Sequence, residues 1–367
     1  MSSRWRLALV VIARDEAPRI GRLLASAAPW VDDTLVLDTG SRDDTAAIAR
    51  AAGARVEHFA WCDDFAAARN AALDAAGADW HLVLDADEWV SEGGAQLAAL
   101  RGTAPEFVGA LRIVEHGAGS GGSDWISRVL PGRVRYAGRV HEQPQHALQV
   151  RRLALTIGHD GYAAERMAVK RGRNRALLEA ELARRPGDAY LWYQLGKDHA
   201  VYDEHAEAAA AFEQAQARRA AVPWRFDLAA RQLFSLKRLA RHAQALALAE
   251  RLLPECAESP DFFFALGDLM LDWAAHEPEH GAERLAVAQQ AWQQALAIGE
   301  RPDQIGAVPG RGSWLAAHNL AVVLEGLGDA AGAAALRSRY PVTSDATAVP
   351  ASSRIGLRPH GVEPTAL

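Results

Sequence analysis

The sequence predicts an α/β domain on a mostly parallel, Rossmann-like sheet over residues 1–165, an all-α domain of helical repeats over 166–340, and a disordered tail over 341–367. Three observations predict it. Up to about residue 165, short unbroken apolar runs alternate with helical stretches. Beyond that point strand runs vanish, and apolar residues recur at three and four amid abundant alanine. After Pro341 the chain is rich in Ser, Thr, Pro and small residues and has no period. A length of 367 residues agrees with two domains at ~150 residues each.

Leu7 to Ile12 is apolar throughout, as a strand buried on both faces requires. Arg19 to Ala28 reads as a helix with Ile20, Leu23 and Leu24 on one side. Thr34 to Leu37 is a second strand ending at Asp38, and Ser41 and Asp43 are candidate caps for a helix over Asp44 to Ala52. A short third strand is expected over Arg55 to Phe59 and a helix over Ala66 to Ala76. Trp80 to Leu84 is a fourth strand, ending at Asp85. Strands separated by such helices form βαβ units, whose crossovers make neighbouring strands parallel. Gly117 to Ser123 reads as a flexible loop and not a phosphate loop, because no strand leads into it and no Gly-Lys-Ser/Thr follows.

In the helical half, Trp192-Tyr-Gln-Leu195-Gly196 with Ala208, Phe212 and Ala215 fits the tetratricopeptide pattern. Small residues there let paired helices approach, and a large residue fills the gap beside the crossing. Phe264-Ala-Leu266-Gly267 opens another copy, with Ala288, Trp292 and Ala295 in its second helix. Leu233 to Leu253 fits a degenerate copy, and Leu320-Ala321, Gly328 and Ala333 a last one.

Composition narrows the function classes. Half of the residues are apolar and 23% are charged, which describes a globular protein with ample core. The longest aliphatic run, Leu7 to Ala13, is far short of the ~20 residues of a bilayer span, so no membrane span is expected. The start lacks an apolar segment with a small-residue cleavage site, so a cytoplasmic location is expected. A net charge of -6 argues against nucleic acid as a partner. The two cysteines, Cys62 and Cys256, make no disulfide framework and read as reduced thiols.

Ligands of open parallel sheets bind beyond the carboxyl ends of the strands. Three acidic features fall there: Asp15-Glu16 after the first strand, Asp38 after the second, and Asp85-Ala-Asp87-Glu88 after the fourth. Two carboxylates at one strand end repel each other unless a cation is present, and Mg²⁺ or Mn²⁺ with phosphate oxygens would satisfy them. A glycosidase pair must flank a bond across a cleft, whereas Asp85 and Asp87 adjoin each other, so a metal and diphosphate role fits better. His276-Glu-Pro-Glu-His280 matches the zinc-protease string H-E-x-x-H, but Pro278 breaks the helix that would put both His on one face.

Four ordered motifs over residues 7–89 resemble the family 2 glycosyltransferases of GT-A fold. They are Val11-Ile-Ala-Arg14-Asp15-Glu16, Leu37-Asp38-Thr39-Gly40-Ser41 with Asp43-Asp44-Thr45, Asp63-Asp64-Phe65 to Arg69-Asn70, and Leu84-Asp85-Ala-Asp87-Glu88. The continuation is similar to the subgroup with tetratricopeptide helices after the catalytic domain, including peptide S-glycosyltransferases of sublancin type. Arg128-Val-Leu, Gly138-Arg-Val-His141-Glu142 and the His159-Asp-Gly161-Tyr162 turn belong to that likeness, which covers roughly residues 7–220. One departure is Asp15, where an Asn is usual before the Glu.

The resemblance implies a role for each matching position. Asp38 accepts a hydrogen bond from the nucleobase, most simply uracil N–H, while Ala13, Glu16 and their loop frame the nucleotide. Arg69 and Asn70 lie near the ribose and phosphates. Asp85 contacts ribose or the metal, Asp87 ligates an Mg²⁺ or Mn²⁺ ion bridging the diphosphate, and His159 completes the metal or phosphate shell. Inversion at the anomeric carbon requires a base for the acceptor's proton, for which Glu142 is the candidate. The expected partners are a nucleotide-sugar donor, UDP-sugar first, and a protein or peptide acceptor held by the concave repeat array. A homo-oligomer is also admitted. Two other readings stay open: a saccharide or lipid-linked acceptor in surface polysaccharide assembly, and a repeat scaffold whose transferase domain is inactive.

Overall fold

Unbroken apolar runs at the start of the chain become strands whose side chains are buried on both faces. In the computed structural model, which describes residues 4–115, 123–159 and 164–341, β1 (Leu7–Ala13) is followed by α1 (Ala17–Ala27), β2 (Asp33–Asp38), α2 (Thr45–Ala51), β3 (Arg55–His58), α3 (Phe65–Ala76) and β4 (Trp80–Asp85). Leu7, Leu9 and Val11 of β1 pack on one face of the sheet with Ile20, Leu23 and Leu24 of α1. Ala8 and Val10 pack on the other with Ala72 and Leu73 of α3. Each buried leucine contributes about 1.5–3 kcal/mol, and the absence of a polar face explains why these strands read as continuous apolar runs.

β1 to β4 pair in parallel, and the register aligns their carboxyl ends. Ala13 stands beside Asp38 and Ile12 beside Asp85. The acidic residues that close β2 and β4 therefore reach the same edge of the sheet.

The rest of the sheet departs from simple βαβ alternation. β5 (Glu88–Glu92), the short helix α4 (Ala95–Ala99), β6 (Phe107–Glu115), β7 (Ser123–Pro131) and β10 (Gln149–His159) extend it to eight strands in the order β3-β2-β1-β4-β7-β6-β10-β5. β7 runs antiparallel to β4 and β6, and β5 antiparallel to β10. β8 (Arg135–Ala137) and β9 (Gln143–Gln145) form a separate hairpin.

Capping of α2 differs from the expectation. The N-cap is Asp44, whose side chain makes no cap hydrogen bond. The Asp43 carboxylate instead accepts the Thr45 N–H and, from the other loop, the Ala17 N–H. Ser41 Oγ accepts from the Asp15 N–H at 3.0 Å. The polar residues after β2 thus bind the loop after β1 in addition to their own helix.

The chain divides into two compact units at Asp198/His199, later than the boundary at 165 expected from the change of pattern. α5 (Ala164–Arg184) and most of α6 (Ala189–Val201) belong with the sheet. Arg139 lies 3.8 Å from Glu181 of α5, and Gln143 Nε2 is 3.1 Å from the Tyr190 hydroxyl of α6. Helical periodicity starts where α5 starts, but these polar contacts are invisible to a change of period.

The described residues of the second unit form helices: α7 (His205–Arg218), α8 (Arg225–Arg238), α9 (His242–Leu252), α10 (Pro260–His276), α11 (Gly281–Ile298), α12 (Trp314–Gly326) and α13 (Ala330–Arg339). Neighbours in sequence pack together, and α8 also packs on α10. The closest approach illustrates the repeat logic. A Cβ on Gly267 of α10 would come within 2.5 Å of the Trp292 ring of α11, and Trp292 is fully buried with Ala288 and Ala295. The small residue at the crossing and the large residue beside it are those the pattern singled out.

Among the described residues no helix is long and apolar enough to cross a membrane. Cys62 is exposed and Cys256 buried, its thiol pushed up to about 12 by burial and the neighbouring Glu255 charge. The loop around Gly117, residues Asp160 to Tyr162 and the tail beyond Pro341 lie outside the described residues.

Candidate active site

A cavity of about 450 Å³ opens at the carboxyl ends of β1 and β4, where parallel sheets hold their ligands. Ala13, Glu16, Arg69, Asp85, Asp87, Glu142 and His159 all line it, although they come from five separate stretches of the chain. Asp38 and Asn70 are not among the lining residues.

The loop after β1 holds Ala13 and Glu16 in place. The Ala13 carbonyl accepts from the Thr39 N–H at 2.9 Å and from the Thr39 hydroxyl at 3.2 Å. The Glu16 N–H donates to Thr45 Oγ1 at 2.7 Å, and the Glu16 carboxylate pairs with Arg19 one turn along α1. Asp15 has φ +54°, a left-handed conformation that Asn and Asp tolerate better than other side-chain-bearing residues. Its Oδ1 accepts the Arg42 N–H at 2.7 Å. An Asp where Asn is usual therefore still performs the backbone task of the position.

Arg69 projects from α3, whose N-cap Asp64 accepts the Ala67 N–H. Its Nη2 donates to Asp85 Oδ1 at 2.6 Å and its Nε to Glu142 Oε1 at 2.5 Å. Arg128, on β7, donates from Nη2 to Asp85 Oδ2 at 2.8 Å and to Glu88 Oε1 at 2.9 Å. Against the desolvation that would raise it, Arg128 and Arg69 hold the Asp85 carboxyl well below the usual range. Burial pushes the Glu88 carboxyl up against the pull of Arg128, and the Asp85 charge adds to the rise. Charge balance at the end of β4 is thus met in large part by two arginines. A cation is not needed to offset Asp85, which amends the premise from which both carboxylates were assigned to a metal.

Asp87 and His159 are arranged differently. Asp87 Oδ2 lies 3.5 Å from His159 Nε2 at the cavity wall. A carboxylate and an imidazole at that spacing can share an Mn²⁺ or Mg²⁺ ion, with the remaining positions left to water and phosphate oxygens. The donor set at Asp87 and His159 fits such an ion.

Asn70 serves the backbone. Its Nδ2 donates to the Tyr136 carbonyl at 2.9 Å and its Oδ1 accepts the Tyr136 N–H at 2.8 Å. It clamps β8 to α3 and does not line the cavity, contrary to the position near ribose and phosphates implied by the resemblance. Asp38 is buried at the edge of β2, where its Oδ1 accepts the Ser41 N–H and its Oδ2 lies 3.1 Å from His58 Nδ1. The neighbouring Thr39 lines the cavity in its stead.

Several lining residues were given no role by the sequence reading, although Arg128 and Phe65 stood in its motifs. Arg128 and Tyr136 line the cavity, as do Trp61 and Phe65, whose rings meet edge-on with centroids 4.8 Å apart. Arg69 Nη1, Arg128 Nε and the Tyr136 hydroxyl are buried without a hydrogen-bond partner. Such donors cost free energy unless a ligand or water meets them. The signal available in the sequence was an arginine inside the apolar run of residues 126–131. His141 beside Glu142 has φ +51°, and burial together with the Lys197 charge lowers it to about 4.

Residues 8–120 match the model of the family described as glycosyl transferase family 2. The chain is 39% identical over 212 residues to a TPR repeat-containing protein of Synechococcus elongatus, covering 52% of this chain and 51% of that protein. It is 28% identical over 211 residues to the SPbeta prophage-derived glycosyltransferase SunS of Bacillus subtilis, covering 54% of this chain and 50% of the relative. The chain thus spans about half the length of these relatives. A solved structure of glucosyl-3-phosphoglycerate synthase from Mycobacterium tuberculosis, with Mn²⁺, UDP and glucosyl-3-phosphoglycerate, aligns to 31% of this chain and 45% of its own at 24% identity and a TM-score of 0.26.

Proposed function

We propose that this chain, whose residues 8–120 are a family 2 glycosyl transferase domain followed by helical repeats, moves a sugar from a nucleotide-sugar donor, UDP-sugar first, to a side chain of a protein or peptide. One observation carries the reading most. Seven residues singled out from separate motifs line a single cavity at the strand ends.

The acceptor's nucleophile attacks the anomeric carbon from the side opposite the nucleotide, forming the new glycosidic bond as the carbon–oxygen bond to the diphosphate breaks. The electron pair leaves with the nucleoside diphosphate. Arg69 and Arg128 supply fixed positive charge at the end of β4, close to where that negative charge grows. Glu142, held by Arg69, takes the acceptor's proton. A divalent ion bound by Asp87 and His159 would add charge stabilisation of the leaving diphosphate. Trp61 and Phe65 offer apolar ring faces to a sugar or to the acceptor.

A peptide acceptor is favoured by the helical repeats, which are suited to extended segments. The test is incubation of the full chain with a panel of UDP-sugars, Mn²⁺ and candidate peptides, read by mass spectrometry against Asp87→Asn. A hexose added to a peptide by wild type alone supports the proposal. A sugar found only on glycan or lipid-linked acceptors transfers the activity to the saccharide reading. No sugar transfer by either protein to any acceptor makes the domain a scaffold, and equal transfer by both removes Asp87 from the mechanism.

A further inference from the structure

The H-E-x-x-H string is not a metal motif here, but one of its histidines has found other company. α10 ends at His276 and Pro278–His280 form a tighter turn, so His276 and His280 do not share a helix face. His280 instead lies 3.9 Å from Glu283. His276 projects one turn beyond Asp272 on α10, beside His242, the first residue of α9.

We propose that His242, Asp272 and His276 form a binding site for a divalent transition-metal ion of the Zn²⁺ class within the helical unit. One donor atom from each residue lies within 4.8 Å of the others. His242 Nε2 is 2.7 Å from Asp272 Oδ2, and His276 Nδ1 is 3.6 Å from that same oxygen. A tetrahedral ion with bonds of ~2.0–2.1 Å spaces its ligands ~3.4 Å apart, so the three groups bracket the required separation. Two imidazoles and one carboxylate favour Zn²⁺, Ni²⁺ or Co²⁺ over Mg²⁺, which prefers oxygen ligands.

The surroundings are built to orient this cluster. The His242 ring is buried and stacks on Trp273 at 5.6 Å with a 10° angle between planes. Trp273 is covered in turn by the Arg284 guanidinium at 4.1 Å. Arg284 donates to the Glu277 carbonyl at 3.0 Å and pairs with the Glu277 carboxylate. Exposure then rises outward, from 6% for the His242 side chain to 36% for Asp272 and 55% for His276. The inner ligand is rigid, the outer one can turn, and the solvent side leaves room for water or another ligand in the fourth position.

Loading exchanges two hydrogen bonds, His242 Nε2 with Asp272 Oδ2 at 2.7 Å and His276 Nδ1 with the Asp272 carbonyl at 2.8 Å, for three metal bonds. The proton between His242 and the Asp272 carboxylate moves to His242 Nδ1 or to solvent, and His276 likewise presents an unprotonated nitrogen. The ion would then tie α9 to α10 through side chains alone. This site is chemically apart from the Asp87–His159 pair, and it stands whether or not the sugar-transfer reading holds.

Full-length chain stripped with a chelator is titrated with ZnCl₂ and followed by thermal unfolding, with CoCl₂ as a visible-absorption probe. Wild type should gain roughly 5 °C or more at saturating Zn²⁺ and show the intense bands of tetrahedral Co²⁺. Asp87→Asn should keep both signals, since it alters only the cavity. His276→Gln, at an exposed position, should lose both, and His242→Gln should do the same where it folds. Wild-type Zn²⁺ uptake by His276→Gln would overturn the proposal, as would loss of the signals in Asp87→Asn or no saturable binding by wild type.

Discussion

Arg69 Nη2 stands 2.6 Å from Asp85 Oδ1, so a helix residue and a strand-end residue form an ion pair at the floor of the cavity. Arg128 meets the other Asp85 oxygen, and Glu142 and Glu88 close the chain of charges at either end. A carboxylate that would ordinarily be assigned to ligand contact is here also the centre of the network that positions the two arginines.

Asp85→Asn should therefore cost stability as well as activity. Removing one partner of a buried pair costs about 3–5 kcal/mol. The Asp85 side chain is 36% exposed, so solvent screening reduces the expected loss to about 2–3 kcal/mol. Urea denaturation of the two proteins measures it. Equal midpoints would show that the arginines find other partners.

Asp87→Asn should separate from this in kind. Its effect should fall on turnover, by roughly 100-fold or more, with a melting temperature close to wild type. His159→Ala should raise the Mn²⁺ concentration for half-maximal activity by about 10-fold. Steady-state rates across an Mn²⁺ titration check both. An unchanged Mn²⁺ requirement in His159→Ala would remove His159 from the metal site.

Asn70→Ala should behave as a structural substitution. It removes two hydrogen bonds to the Tyr136 backbone and leaves those groups unpaired, a loss of about 1–3 kcal/mol. Donor KM measured well below the melting temperature should change little. A large KM effect at unchanged stability would restore the direct ligand contact that the resemblance implied.

His81 predicts a pH dependence. Burial, aided by the Arg135 charge, lowers it from 6.5 to about 4, and its Nε2 accepts the Ala78 N–H at 3.3 Å, so the ring is neutral in the folded state. The unfolded chain binds the proton first as pH falls. Stability is fully present above pH 6.5 and is lost progressively down to pH 4, by about 2–3 kcal/mol. Lowered His141 contributes to the same window, and the carboxylates of Asp43 and Asp85 to a lower one. His81→Gln, whose amide oxygen can accept the Ala78 N–H, should flatten the loss between pH 6.5 and pH 4. Denaturation curves for both proteins at several pH values decide it, and parallel losses would exclude His81.

β1, β2 and β4 were legible because burial leaves an unbroken apolar signature, which the exposed β3 lacks. β6, β7 and β10 were not, and Arg128 shows why. It interrupts an apolar run of β7 in order to turn inward to Asp85 and Glu88, so the residue that serves the site also spoils the pattern that would have revealed the strand. Asp38 was placed on the right strand end, but its pairing with His58 depends on a neighbouring strand that sequence does not align. Asn70 sits in a recognisable motif, yet its partner Tyr136 is a backbone group, and backbone partners leave no trace in residue type.

The pairing of β5 with β10 has a consequence for how the sequence can change. His159 stands opposite Glu88, next to Asp87, and Gly158 stands opposite Trp89, where a Cβ would come within 2.4 Å of the indole. Side chains along a strand alternate between faces, so losing or gaining one residue there turns His159 away from Asp87 and drives a substituted residue into Trp89. The register already slips between Thr156 and Ile157, so a one-residue change can be absorbed there as a bulge but not between that point and His159, a constraint that the helical unit, with its longer period, does not share.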